Sequence, residues 1–136
     1  MTAPGDREGE RFAEAVEAFN ERRYFACHEL LEELWREEPG AVRAVYQGIL
    51  QIAVGCYHLM ARSNLVGAHN KLEAGARRLE PHGRSFRGVD LRALIADADR
   101  LRASLPTPQA GLRAPWDQTL LPRIRAVDEG GNAAGT

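Results

Sequence analysis

A single all-α helical bundle of about five helices, gathered round one central buried helix, is the architecture these 136 residues predict. Three observations carry that expectation. Apolar residues recur at i, i+3, i+4 and i+7 in successive stretches of the chain. Period-two alternation never lasts long enough to define a strand. The stretch from about 42 to 62 is apolar nearly all round, as a helix in the middle of a bundle should be.

Residues 1–9 are charged and contain glycine, and read as a flexible N-terminus. A bundle domain is expected over 10–105. In its first helix Phe12, Ala15, Val16 and Phe19 form the buried stripe, ending near Asn20. The short link Glu21-Arg22-Arg23 requires the second helix to turn back on the first, and Pro39-Gly40 ends that second helix. The third helix, about 42–62, carries Val45, Ile49, Ile52 and Cys56 on one stripe. Gly48 and Gly55 within it weaken a helix by up to ~1 kcal/mol each, so they imply close approach of a neighbouring helix. Ser63-Asn64 is an N-cap signal for a fourth helix with Leu65, Ala68, Leu72, Ala76 and Leu79 buried. Asp90 is an N-cap for the fifth, with Leu91, Leu94, Ala98 and Leu101 inward. Residues 106–136 lose periodicity and read as a Pro/Gly-rich strap and disordered tail, with Trp116, Leu120 and Leu121 folding back over the core.

Composition bounds the function. A net charge of -1 gives no field for steering nucleic acid, and no apolar run approaches the ~20 residues that span a bilayer. The polar start carries no signal peptide, so a cytoplasmic location is expected. Lys71 is the only lysine among the basic residues. Cys27 and Cys56 sit in apolar helical runs, and buried reduced thiols are expected in preference to a disulfide.

The chemistry concentrates in Tyr24 to Trp35, read Y-F-A-C-H-E-L-L-E-E-L-W. His28, Glu32 and Trp35 share one side of a helix, with Glu29 about 100° round. The third helix adds a polar seam of Gln47, Gln51 and His58 at i, i+4 and i+11. These blocks, F-N-E-R-R-Y-F-A-C-H-E-L-L-E-E-L-W, Y-Q-G-I-L-Q-I-A-V-G-C-Y-H and N-L-V-G-A-H-N-K-L, resemble the family called domain of unknown function 309. The resemblance covers roughly Phe12 to Leu105 and implies a small all-helical bacterial or archaeal protein without an assigned activity. Its motif falls here on His28, Glu29, Glu32, Trp35, Gln47, Gly48, Gln51 and His58.

Three functions are weighed. The leading one is a binding or interaction module with a polar pocket between the second and third helices. That pocket is lined by His28, Glu29, Glu32, Gln47, Gln51 and His58, with Trp35 and Tyr24 as walls, and it takes a protein partner, a small ligand or a second copy. Inward-facing polar groups of this kind pair with one another across the two helices and fix their register. The second is a metal-dependent hydrolase. His28, Glu32 and His58 would then hold zinc, manganese or iron with a position left for water, and Glu29 would move the proton. H-E-x-x-E departs from the H-E-x-x-H of zinc hydrolases, and the bundle motif E-x-x-H of di-iron sites is absent. The third is a helical-bundle ribonuclease using Arg62 and His69, a spacing that arises easily among so many arginines.

Overall fold

The computed structural model describes residues 4–107 and 115–127, and its helices fall where the periodicity puts them. They are α1 (Pro4–Asn20), α2 (Tyr24–Glu37), α3 (Arg43–Arg62), α4 (Leu65–Leu79) and α5 (Leu91–Ser104). α1 begins well before the expected start at residue 10, so the stretch read as flexible is helical from Pro4 onward. Residues with glycine and charge still join a helix when the turn ahead of them is anchored, and Glu8 is anchored to Tyr46 on α3.

Each helix ends for a local reason. Arg22 takes a left-handed conformation at φ 64°, and the Arg23 N–H returns to the Ala18 carbonyl at 2.8 Å, closing α1 and reversing the chain. Ser63 at φ 50° does the same for α3. Asn64 and Asp90 cap α4 and α5 as expected, each side chain accepting a backbone N–H three residues on at 2.9 Å.

α2, α3 and α4 lie side by side as one layer with α3 in the middle. The closest approach is between α3 and α4, and glycine makes it. A Cβ built on Gly75 would stand 2.6 Å from the Gly48 carbonyl oxygen, and one on Gly48 would stand 2.7 Å from Leu79. The expected role of Gly48 is therefore the observed one, with Gly75 as its partner across the gap. α1 packs on α2 and α5 on α4, which closes the inner side of α3. Phe12, Phe19, Leu31, Ile49, Ile52, Leu72, Leu91 and Leu94 make the common core.

A small hairpin, β1 (Ser85–Phe86) and β2 (Val89–Asp90), joins α4 to α5. Two-residue strands cannot show an alternating pattern, which is why no strand was expected. Arg87 and Gly88 turn it at φ 48° and 82°, the two positive values a tight hairpin loop demands. Residues 121–127 run beside β2 through a Val89–Ala126 bridge. Asn20 holds Ile124 through both of its backbone groups at 2.8 and 2.9 Å. Asp97 on α5, nearly buried, accepts from the Arg123 N–H at 3.3 Å and from the Arg125 guanidinium at 2.8 Å. Leu121 and Ile124 are buried beneath this strap, whereas Trp116 and Leu120 are only half-covered. Of the strap and disordered tail expected over 106–136, residues 108–114 and 128–136 lie outside the described residues.

Candidate functional site

Between Gln47 and His58 every α3 residue is buried except six: Gln47, Leu50, Gln51, Val54, Tyr57 and His58. Their spacing of three and four residues draws one stripe along the helix. α3 is thus central in its layer without being enclosed, since this stripe opens to the surface between α2 and α4. The polar seam noted in the sequence belongs to it. Gln47, Gln51 and His58, expected to line a pocket between the second and third helices, lie half-buried along this stripe.

α2 borders one edge of the stripe. Phe25 is 56 % exposed and its ring packs at 6.0 Å from both Tyr57 and His28. His28 is half-buried, and its Nδ1 atom is enclosed with no hydrogen-bond partner among the described residues. Glu29 is exposed. Glu32 pairs with Arg36 at 3.4 Å, a solvent-screened contact of at most about 0.5 kcal/mol. Trp35 lies under the Arg43 guanidinium, 4.4 Å from the ring centroid, while Arg43 Nε donates to the Trp35 carbonyl at 3.0 Å. Tyr24 is not a wall of this surface. It is buried on the inner side, edge-on to Phe19 at 5.6 Å, where desolvation and then the neighbouring Cys56 thiol drive its hydroxyl pKa far up.

α4 borders the other edge, and two of the expected site residues turn toward it. Gln51 accepts from Arg78 Nε at 3.1 Å, and His58 Nδ1 stands 3.5 Å from the Asn64 amide. Burial, then Arg62 and Lys71, lower the His58 pKa from its ordinary value and favour the neutral ring. No hydrogen bond joins His28, Glu32, Gln47, Gln51 and His58 to one another among the described residues; in place of the expected inter-helix network Gln51 bonds to Arg78 of α4 and His58 approaches Asn64 at its N-cap. Nor does any group of three His, Cys, Asp or Glu side chains among the described residues stand ready to hold a metal. His58 is directed away from His28 and Glu32, which leaves the His28–Glu32–His58 ligand set unassembled in this conformation. Arg62 is exposed at the end of α3, and His69, expected to be solvated, is half-buried with Nε2 at 3.2 Å from the Pro106 carbonyl.

Sequence reading missed a second cluster on the inner side. The fully buried Tyr46 hydroxyl donates to Glu8 and accepts from Arg87 Nε at 3.2 Å, and Arg87 also pairs with Glu8 at 3.3 Å. Burial first, then the Glu8 hydrogen bond, push the Tyr46 pKa up, with Arg87 opposing. The phenol stays protonated and ties α1, α3 and the hairpin tip together. Phe12 and Phe86 enclose it at 5.8 and 5.4 Å. A cleft of about 370 Å³ lies beside Glu8, lined also by Arg7, Arg11, Leu34, Glu37 and Glu38, and an apolar groove of about 490 Å³ runs past Phe12, Val16 and Val89. Arg11 and Glu37 pair across the cleft at 2.9 Å. Glu8 and Arg87 were invisible beforehand because they lie in the stretch read as flexible and in the loop before α5.

The thiols of Cys27 and Cys56 are free and buried, and desolvation pushes each up to about 12. Such thiols are inert side chains of the core, not nucleophiles. Among the described residues no helix is long and apolar enough to cross a membrane.

Residues 12–71 match the model of a family described as "Domain of unknown function (DUF309)". The chain is also 39 % identical over 77 residues to the "Uncharacterized protein YpuF" of Bacillus subtilis (strain 168). That alignment takes in 56 % of this chain and 44 % of the relative, so the chain matches less than half of the relative's length.

Proposed function

Starting from a chain whose residues 12–71 match the model of the domain of unknown function 309, we propose that it is an interaction module. Its docking surface is the open side of the α2–α3–α4 layer, and its partner is a protein. One observation carries this reading: the α3 stripe of Leu50, Val54 and Tyr57 is left half-covered, although α2 and α4 flank it on both sides. Apolar side chains aligned at helical spacing and bordered by an exposed Phe25 and Met60 are what a docking surface offers.

Two further points support it. The matched segment 12–71 holds α2, all of α3 and the start of α4, the elements that build this surface, whereas Glu8 and Arg87 of the inner cluster lie outside it. The polar groups on the surface are spread along one stripe and not converged on a point, which suits a broad contact better than a reaction centre. The same reading takes the protein as cytoplasmic, in keeping with two free buried thiols.

Site-specific photo-crosslinking in cells tests it. A photoreactive phenylalanine analogue placed at Gln51 or Val54 should give a discrete protein adduct, and the same group at Arg92 on α5 should not. Adducts from all three positions alike, or from none, would overturn the assignment of this surface.

A further inference from the structure

The charges bordering the α3 stripe select an occupant. Resting on the docking surface just described, we propose that the partner is a second copy of this chain, packed face to face about a two-fold axis parallel to α3.

The edge formed by α2 exposes Glu29 and Glu33, one helical turn apart, while the edge formed by α4 carries Lys71 and the exposed Arg78. A half-turn about an axis along α3 exchanges left and right and keeps height. It therefore lays the acidic edge of each copy over the basic edge of the other, and does so twice. An axis across α3 would instead set acidic edge on acidic edge, which is disfavoured.

The heights agree. Phe25 packs on Tyr57, and a Cβ on Gly67 would touch His58, the next residue of α3, so α2 and α4 start level and run the same way. At about 1.5 Å per residue, Glu29 lies about 6 Å below that level and so does Lys71. Glu33 lies about 12 Å below and Arg78 about 16 Å, a gap that a long arginine side chain spans.

The seam agrees as well. Gln47, Leu50, Val54, Tyr57 and Ala61 follow one another at intervals of three, four, three and four residues, the a and d positions of two heptads. A parallel two-fold sets each of them against its own copy. Leu50 and Val54 then close an apolar contact, and the two Gln47 amides meet in register, the position where a polar seam residue fixes alignment. The open face spans three helices about 9 Å apart and about 21 Å of α3, on the order of 600 Å² in projection, near the size of one side of a standard interface.

Sedimentation of the full chain in the micromolar range decides the matter. The wild type is expected to be a dimer. Glu29→Lys at the exposed α2 edge and Lys71→Glu at the half-buried α4 edge should each weaken it by on the order of tenfold to a hundredfold, because each change acts at two symmetric contacts. The double variant E29K/K71E should restore it, and far-UV circular dichroism should show all three folded. A monomer at every concentration overturns the proposal while leaving the docking surface to the crosslinking result. A dimer indifferent to both substitutions, or a double variant no better than the singles, overturns it too, since the copies would then meet elsewhere.

Discussion

Replacing Gly75 by alanine tests the packing on which the α2–α3–α4 layer depends. The new Cβ would lie 2.6 Å from the Gly48 carbonyl oxygen, 2.7 Å from Ile52 Cγ1 and 3.0 Å from the Ile52 nitrogen. Two of those atoms are backbone in the middle of α3, so no side chain can swing aside and α4 must move. Overpacking of this kind costs about 1–3 kcal/mol, and the rigidity of the neighbours puts Gly75 at the upper end. Alanine returns up to ~1 kcal/mol of helix propensity, leaving a net loss of about 2 kcal/mol. At roughly 4 °C per kcal/mol for a chain of this size, the melting temperature should fall by about 8 °C. Gly9→Ala is the control, because it is also mid-helix but meets only the far end of Arg87 at 3.5 Å. That change should raise the melting temperature by about 2–4 °C, since the propensity gain is unopposed. Thermal unfolding followed at 222 nm reads both. If Gly75→Ala melts at or above the wild type, the two helices are not in the contact described, and the geometry of the open face would need to be redrawn.

Three other outcomes are expected. Asp97→Ala removes the acceptor for Arg125 and for the Arg123 N–H, so it should destabilise by about 2 kcal/mol and expose 121–127 to protease, seen as early cleavage within the strap. The raised pKa values of Cys27 and Cys56 mean that the unfolded chain loses these protons first. Their contribution is complete below about pH 9 and is lost as pH rises toward 12, so the urea midpoint should drop between pH 9 and 10 and C27A/C56A should flatten that drop. His58 has the opposite sign. Its pKa is lowered in the fold, so stability is present above the ordinary imidazole value of 6.5 and is lost as pH falls below it, a slope that His58→Gln should reduce in acid titrations of the melting temperature.

The sequence made the helices legible because each carries its own punctuation. Asn64, Asp90 and the Pro39-Gly40 stop mark ends that need no tertiary partner, and the apolar stripes repeat often enough to fix the period. Gly48 was legible as a close approach, but Gly75 was not singled out, because only its pairing with Gly48 gives it a role. The hairpin was hidden by its length. Asp97 was hidden by its company: a carboxylate three residues before Arg100 reads as a solvated helix pair, and the additional contacts to Arg125 and the Arg123 N–H come from far along the chain.

The polar seam was the misassigned feature, and the cause is physical. Periodicity reports that Gln47, Gln51 and His58 share a side of α3; it does not report what covers that side. A helix enclosed all round and a helix flanked on two sides differ by only one stripe, and apolar residues occupy it here as well, at Leu50, Val54 and Tyr57. Inside a closed bundle the glutamines and the imidazole would each need a partner, at about 1–3 kcal/mol for every one left without. On an open stripe Arg78 meets that need for Gln51 and Asn64 for His58, and only Gln47 is left to solvent. The same mixed composition that is costly in a core suits a surface that alternates between water and a partner, since it does not demand burial and does not resist it. On the proposed reading the seam bears on association, and the residues worth mutating first are Glu29 and Lys71 at its edges, ahead of His28 at its rim.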